Sequence, residues 1–188
     1  MRRIITLRSY AVNDLAFMHW LIAKGAEVNA RSVEDESALS AAISRGSMDV
    51  VDFLLAQEDD VTRGNLLHCA ARRKSQSEGA VIAQTVLDRG ADVNAHRYNN
   101  DIALRRRLLS CLPTPLHVAC DERNLPVADV LTSHGGNPHC KMLAEFREVP
   151  PTPMETAYKL KDKRMIDLLT IACLAAESGI YFGGRAAL

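Results

Sequence analysis

The stretch "LPTPLHVAC", residues 112–120, sets His117 and Cys120 three positions apart. On a helix, residues at that spacing share a face. An imidazole beside a thiol can act as base and nucleophile or supply half of a metal site. His134, His139 and Cys140 form a second group, with Cys111 upstream. Zinc takes four N or S ligands on short, paired spacings, and His134 and His139 have no matching pair elsewhere. The chain carries no glycine-rich phosphate loop, nucleophile elbow or two-histidine zinc helix. Whether His117 and Cys120 are chemistry or architecture depends on whether their surroundings are unique in the chain.

They are not unique. "KGAEVNARS" (24–32) and "RGADVNAHR" (89–97) share Gly, Ala, Val, Asn and Ala in register. "SALSAAISRG" (37–46), "NLLHCAARRK" (65–74), "TPLHVACDER" (114–123) and "TPMETAYKLK" (152–161) each open on a small or polar residue. Each places an alanine five positions later: Ala42, Ala70, Ala119 and Ala157. Apolar runs follow, "VVDFLL" (50–55), "AQTVLDRG" (83–90), "VADVLTSHG" (127–135) and "MIDLLT" (165–170). Ser37 and Leu54 are 17 residues apart, as are Thr114 and Leu131.

This order of signals resembles the ankyrin repeat: a helix opening on Thr-Pro-Leu-His, a tight turn, a second helix ending Leu-Leu, then Gly-Ala-Asp-Val-Asn-Ala. The resemblance implies an all-α ankyrin-repeat solenoid of stacked helix-turn-helix pairs with finger loops and degenerate terminal repeats. One domain is expected over residues 1–175. Its repeats run at about 1–33, 34–61, 62–110, 111–148 and 149–175, with a C-terminal tail at 176–188. Leu54, Leu131 and Leu168 are expected at equivalent buried positions, within a stacked core that includes Leu55, Val86, Leu87, Val130 and Leu169. Pro115 and Pro153 suit the first turn of a helix, where a missing N–H costs nothing, and Thr114 and Thr152 suit the caps before them. The family's signature histidine bonds to backbone, and His68 and His117 match it. Cys120 then fills the second alanine slot, held by Ala71 one repeat earlier. On that reading His117 and Cys120 are architecture.

The chain departs from the pattern at three places. Val61 to Asn65 is four residues where Val28 to Ser37 is nine, so a finger is missing and a notch is expected. "RRKSQSEGA" carries about four extra residues between two helices, expected as a loop. The finger from Val93 to Thr114 spans 21 residues. Its "DIALRRRLLSCL" favours a short amphipathic helix at about 101–110 over a nuclear import signal.

Composition narrows the function. Lys plus Arg equals Asp plus Glu, 23 each, over 188 residues. That balance gives no argument for nucleic acid or an anionic membrane as partner. Aromatic residues are only 5%, with Trp20 the one tryptophan, which disfavours base-stacking platforms. Five cysteines at irregular spacing do not form a disulfide framework. No apolar run reaches membrane-spanning length, and cytoplasm or nucleus is the expected location. No cofactor and no metal are implied. The resemblance implies a non-catalytic protein–protein interaction module, expected as a monomer, with a rigid concave surface. Arg45, Arg72, Arg73, Asp121, Glu122 and Lys159 fall at the family's concave positions. Tyr98, Arg105 and Arg106 fall on the long finger that overhangs them. The competing reading is a small cyclase- or isomerase-type enzyme, with Asp121, Glu122 and Tyr98 as acid/base groups in the same groove.

Overall fold

The computed structural model describes residues 11–32, 35–57, 60–97, 111–142 and 150–178. A 3₁₀ turn, Ala11–Asn13, leads into α1, Leu15–Ala23. Four helix pairs follow: α2 (Ala38–Arg45) with α3 (Met48–Gln57), α4 (Leu66–Ala71) with α5 (Gln76–Asp88), α6 (Pro115–Asp121) with α7 (Leu125–Ser133), and α8 (Pro153–Lys159) with α9 (Lys163–Glu177). The first helices pack in a row, α2 on α4, α4 on α6, α6 on α8. The second helices form a parallel row in which α5 packs on α7 and α7 on α9, while α3 and α5 are not among the closely packed pairs.

The first helices have six to eight residues. Helices that short do not form alone, so caps and neighbours must hold them. In α2 the Ser37 hydroxyl accepts from the Ser40 N–H at 3.2 Å, and Ser40 Oγ accepts from the Ser37 N–H at 2.8 Å. In α8, Thr152 and Glu155 exchange the same pair of bonds, 3.2 and 2.8 Å. The α4 helix has no such device. Its N-cap, Asn65, is left-handed at φ 54° and makes no side-chain capping bond.

The repeated alanines lie where the helices cross. Ala42, Ala70, Ala119 and Ala157 are fully buried, and one apolar cluster runs from Val12 to Leu169. Leu54 and Leu131 are buried as expected. Leu168 is not: it is half-buried, and Leu169 takes the core position. The reason is register, because Leu169 is the residue 17 positions after Thr152. Val130 is half-buried too, packed against the edge of the cluster.

The four extra residues after α4 do not form a loop. They lengthen α5 to 13 residues. The added N-terminal turn lies against α4 at Gly79, where a Cβ would stand 2.7 Å from the Ala70 carbonyl oxygen. Only glycine permits that approach. At the short connection, residues 60–65 fold into tight turns. Asp35 Oδ2 accepts from the Gly64 N–H at 2.9 Å, and Asp35 Oδ1 faces Arg63 at 3.3 Å. Asp60 binds the Thr62 hydroxyl and N–H, and these bonds hold its carboxyl below the usual range.

Arginines add hydrogen bonds across this junction. Arg73 donates Nη1 to the carbonyls of Ala42 (3.2 Å) and Ile43 (2.8 Å), and Nη2 to that of Gly46 (2.8 Å). Glu78 holds the same guanidinium at 2.8 Å. Arg89 donates to the Leu55 carbonyl at the end of α3. Two outcomes follow. Leu131→Ala should cost about 2–5 kcal/mol in urea unfolding, from lost transfer energy and the residual cavity. Arg73→Ala should cost about 2–4 kcal/mol, since buried carbonyls lose charged donors. Hydrogen exchange in that variant should accelerate over residues 11–57 and stay unchanged over 111–178. Equal acceleration in both segments would show that Arg73 does not couple the pairs.

Candidate functional site

The first helices end in a line of charge. Arg45 is the last residue of α2, Arg72 follows α4, Asp121 and Glu122 close α6, and Lys159 ends α8. All five are exposed. Arg72 Nε lies 3.8 Å from Glu122 Oε1, both side chains about half-exposed. Partial burial, then the neighbouring Glu122 charge, raises the Asp121 carboxyl above its ordinary pKa, while Arg72 and Lys159 pull it back. These groups therefore share one electrostatic surface, basic over α2 and α4 and mixed over α6 and α8.

Arg73 must be removed from the expected contacts. It is buried, 7% exposed, and its guanidinium is committed to the end of α2. Its neighbour Arg72 meets Glu122 instead, because adjacent positions on a helix do not share a face. Tyr98, Arg105 and Arg106, and the helix expected at 101–110, lie outside the described residues.

The histidines have structural partners. His68 Nε2 donates to the Pro113 carbonyl at 3.0 Å, tying α4 to the start of α6. His117 Nδ1 accepts the Thr114 N–H at 3.1 Å, with the Thr114 hydroxyl at 2.8 Å. Burial lowers both imidazoles, His68 to about 3 and His117 to about 4. Cys120 is also buried, and burial pushes its thiol up to about 12. A buried neutral thiol is a poor nucleophile. His134 binds the Val130 carbonyl at 2.8 Å and Gln84 at 3.2 Å, and His139 meets Cys173 Sγ at 3.4 Å. Among the described residues, no three His, Cys, Asp or Glu side chains gather as a metal site.

Several residues that hold this surface in place carry no motif. Asn124 Nδ2 donates to the Ala71 carbonyl at 2.9 Å and its Oδ1 caps α7. Asn29 reaches Gln57 and Asn94 reaches Gly135, each donating to a carbonyl at the end of the next second helix, at 3.2 and 3.1 Å. The repeated "VNA" was the available signal for the last two. Arg73 and Asn124 offered none, because their partners are backbone groups about 30 to 50 positions away.

Residues 8–97 match the family model for ankyrin repeats in three copies, and residues 114–142 match that for an ankyrin repeat. The chain belongs to the ankyrin repeat family. No curated protein matches the sequence. The matched segments stop before α8, yet α8 and α9 repeat the pair's cap, proline and buried alanine at Thr152, Pro153 and Ala157. The gap between matches, 98–113, coincides with the long finger. Among the described residues of this ankyrin stack, no helix is long and apolar enough to cross a membrane.

The buried histidines give a pH prediction. Both bind protons more weakly folded than unfolded, so their contribution is complete above about pH 6.5. It is lost as pH falls toward their folded values of about 3 and 4. Each unit of depression is worth about 1.4 kcal/mol, so stability should drop by several kcal/mol between pH 7 and pH 4. Urea unfolding of His68→Gln across that range should show a shallower decline than the parent. An identical slope would mean that His68 does not set it.

Proposed function

We propose that the chain is a non-catalytic protein-recognition module, with its partner bound across the ends of α2, α4, α6 and α8. Ankyrin repeats are generally protein-interaction modules. The observation that carries the reading is the line of Arg45, Arg72, Asp121, Glu122 and Lys159, exposed at the ends of successive first helices on a buried, mutually capped scaffold. Such a surface is formed before the partner arrives, so little ordering cost is charged against binding. Its alternating sign favours a partner of complementary pattern and penalises a wrong register. Tyr98, Arg105 and Arg106 belong to the same proposal as contacts from the long finger. The partner is a protein rather than nucleic acid, the module is a monomer, and its place is the cytoplasm or nucleus.

Charge reversal at the far end of the line tests this. Partners captured on the full chain and identified by mass spectrometry should be lost, at least tenfold, with Asp121→Lys combined with Lys159→Glu. Val81→Ser, on the exposed side of α5, should leave capture unchanged, and all variants should keep the parent's melting temperature. If charge reversal leaves capture intact while Val81→Ser abolishes it, the partner sits on the second helices instead.

A further inference from the structure

The last second helix outruns its neighbour. α7 has nine residues and α9 has fifteen. The final turns of α9 face the turn at 135–138 across a trough of about 540 Å³. Thr132 and Ser133 border it on the α7 side, and Ile171, Ala172 and Ala175 on the α9 side. A second recess of about 380 Å³ adjoins it toward Pro126 and Arg164, and Asp129 and Leu168 line both. From Arg164 to Ala176 the trough follows twelve positions of helix, about 18 Å. An open trough of that length suits a length of chain better than a compact small molecule.

The walls are apolar in effect. The Thr132 hydroxyl donates to the Ala128 and Asp129 carbonyls, both at 3.0 Å, and the Ser133 hydroxyl to that of Val130 at 2.8 Å. Those donors are taken up by their own helix. Ile171, and Leu174 about one turn further on, are large, apolar and exposed. Exposed apolar surface of that kind marks a contact site. The charge lies at one end, where Asp129 and Asp167 line the second recess with Arg164. Among the described residues, none of these three side chains holds an ion pair or a hydrogen bond. Two carboxylates against one guanidinium leave one negative charge for an occupant to meet.

Residues 179–188, "GIYFGGRAAL", lie outside the described residues and continue from the same end of α9. Three large apolar residues, Ile180, Tyr181 and Phe182, come first, and one cation, Arg185, follows. The trough offers apolar wall and then carboxylate in the same order. The lengths agree. Asp167 stands 11 positions before Ser178, about 16 Å back along the helix. Arg185 stands seven positions after it, up to roughly 23 Å of extended chain. The surplus covers a reversal at Gly179, a residue type that ends helices and turns the chain back at little cost. We propose that residues 180–185 lie back along the trough, with Ile180 and Phe182 on its apolar walls and Arg185 against Asp129 and Asp167. Alternate side chains of an extended segment share a face, which puts Ile180 and Phe182 together and leaves Tyr181 outward. The chain thereby covers the second-helix side of its own last two pairs, independently of the recognition line on the first helices.

Nuclear magnetic resonance of the full chain tests this. Ring protons of Phe182 should show through-space contacts to the methyls of Ile171 and Ala175. Amide exchange over 180–185 should be about tenfold slower, or more, than in the free peptide GIYFGGRAAL. Ile180→Ser with Phe182→Ser should abolish both signs, shift the Leu168 and Ile171 methyls, and leave those of Leu54 unmoved. Arg185→Glu should remove most of the protection, and adding Asp129→Arg should restore it. Asp129 is exposed, and helical circular dichroism checks that each variant folds as the parent does. Free-peptide exchange rates in the parent would overturn the proposal. So would full protection in the Ile180→Ser/Phe182→Ser variant, or a charge swap that restores nothing. Contacts that vanish on dilution would place the segment in the trough of a second copy, which overturns the arrangement within one chain.

Discussion

First helices in this stack end with carbonyl groups that a neighbouring pair satisfies, at α2, α4 and α8. A helix leaves its last four carbonyls without internal partners, and in helices of six to eight residues that is half or more of the carbonyls present. Burial makes the omission costly. The next pair supplies the donors: Arg73 for α2 and Asn124 for α4. Before α2, the Ser47 N–H donates to Val12 in the same way. At the end of α8, Arg123 donates to Leu160 from the preceding pair, so the direction reverses there. Neighbours are required for hydrogen bonding as well as for hydrophobic burial, and this is why no pair is a folding unit by itself.

That requirement explains how the stack tolerates irregular connections. The missing finger lies between the first and second pairs, where α3 and α5 are not among the closely packed helices. The residues inserted after α4 lengthen α5 rather than loosening the turn, and Gly79 lets the added turn lie on α4. Glu78, on that same turn, holds Arg73 in position to cap α2. A deletion on one side of the pair and an insertion on the other thus act at the same junction. The buried arginine is the consequence of both.

Much of the fold was legible because the ankyrin pattern is written in local signals. Caps at Ser37, Thr114 and Thr152, prolines in the first turn and alanines at the crossings each depend on residues within a few positions. The errors have physical causes. Leu168 and Leu169 differ by one position and are both leucine, so only the count from Thr152 separates them. The inserted residues read as a loop because they are polar, but polarity does not prevent a helix whose outer face is solvated. Arg73 and Arg72 are adjacent and identical, and their opposite fates depend on the Glu78 side chain and on carbonyls from another pair. The line of exposed charge was legible as positions and not as a binding specificity, since specificity depends on which charges their neighbours already hold.

The distinction between those two arginines also orders the surface. Arg73 is surrounded by acceptors that cannot leave, so its charge is spent on stability and is unavailable to a partner. Arg72 faces the Glu122 carboxylate across 3.8 Å, and water reaches both. A charge in the first situation is structural whatever the partner; a charge in the second is available to one. Because the first holds α2 and α4 at a fixed separation, the second stands at a fixed distance from Arg45. The buried arginine therefore sets the separation at which Arg45 and Arg72 stand exposed, and the stability of the junction and the spacing of its surface charges rest on the same guanidinium.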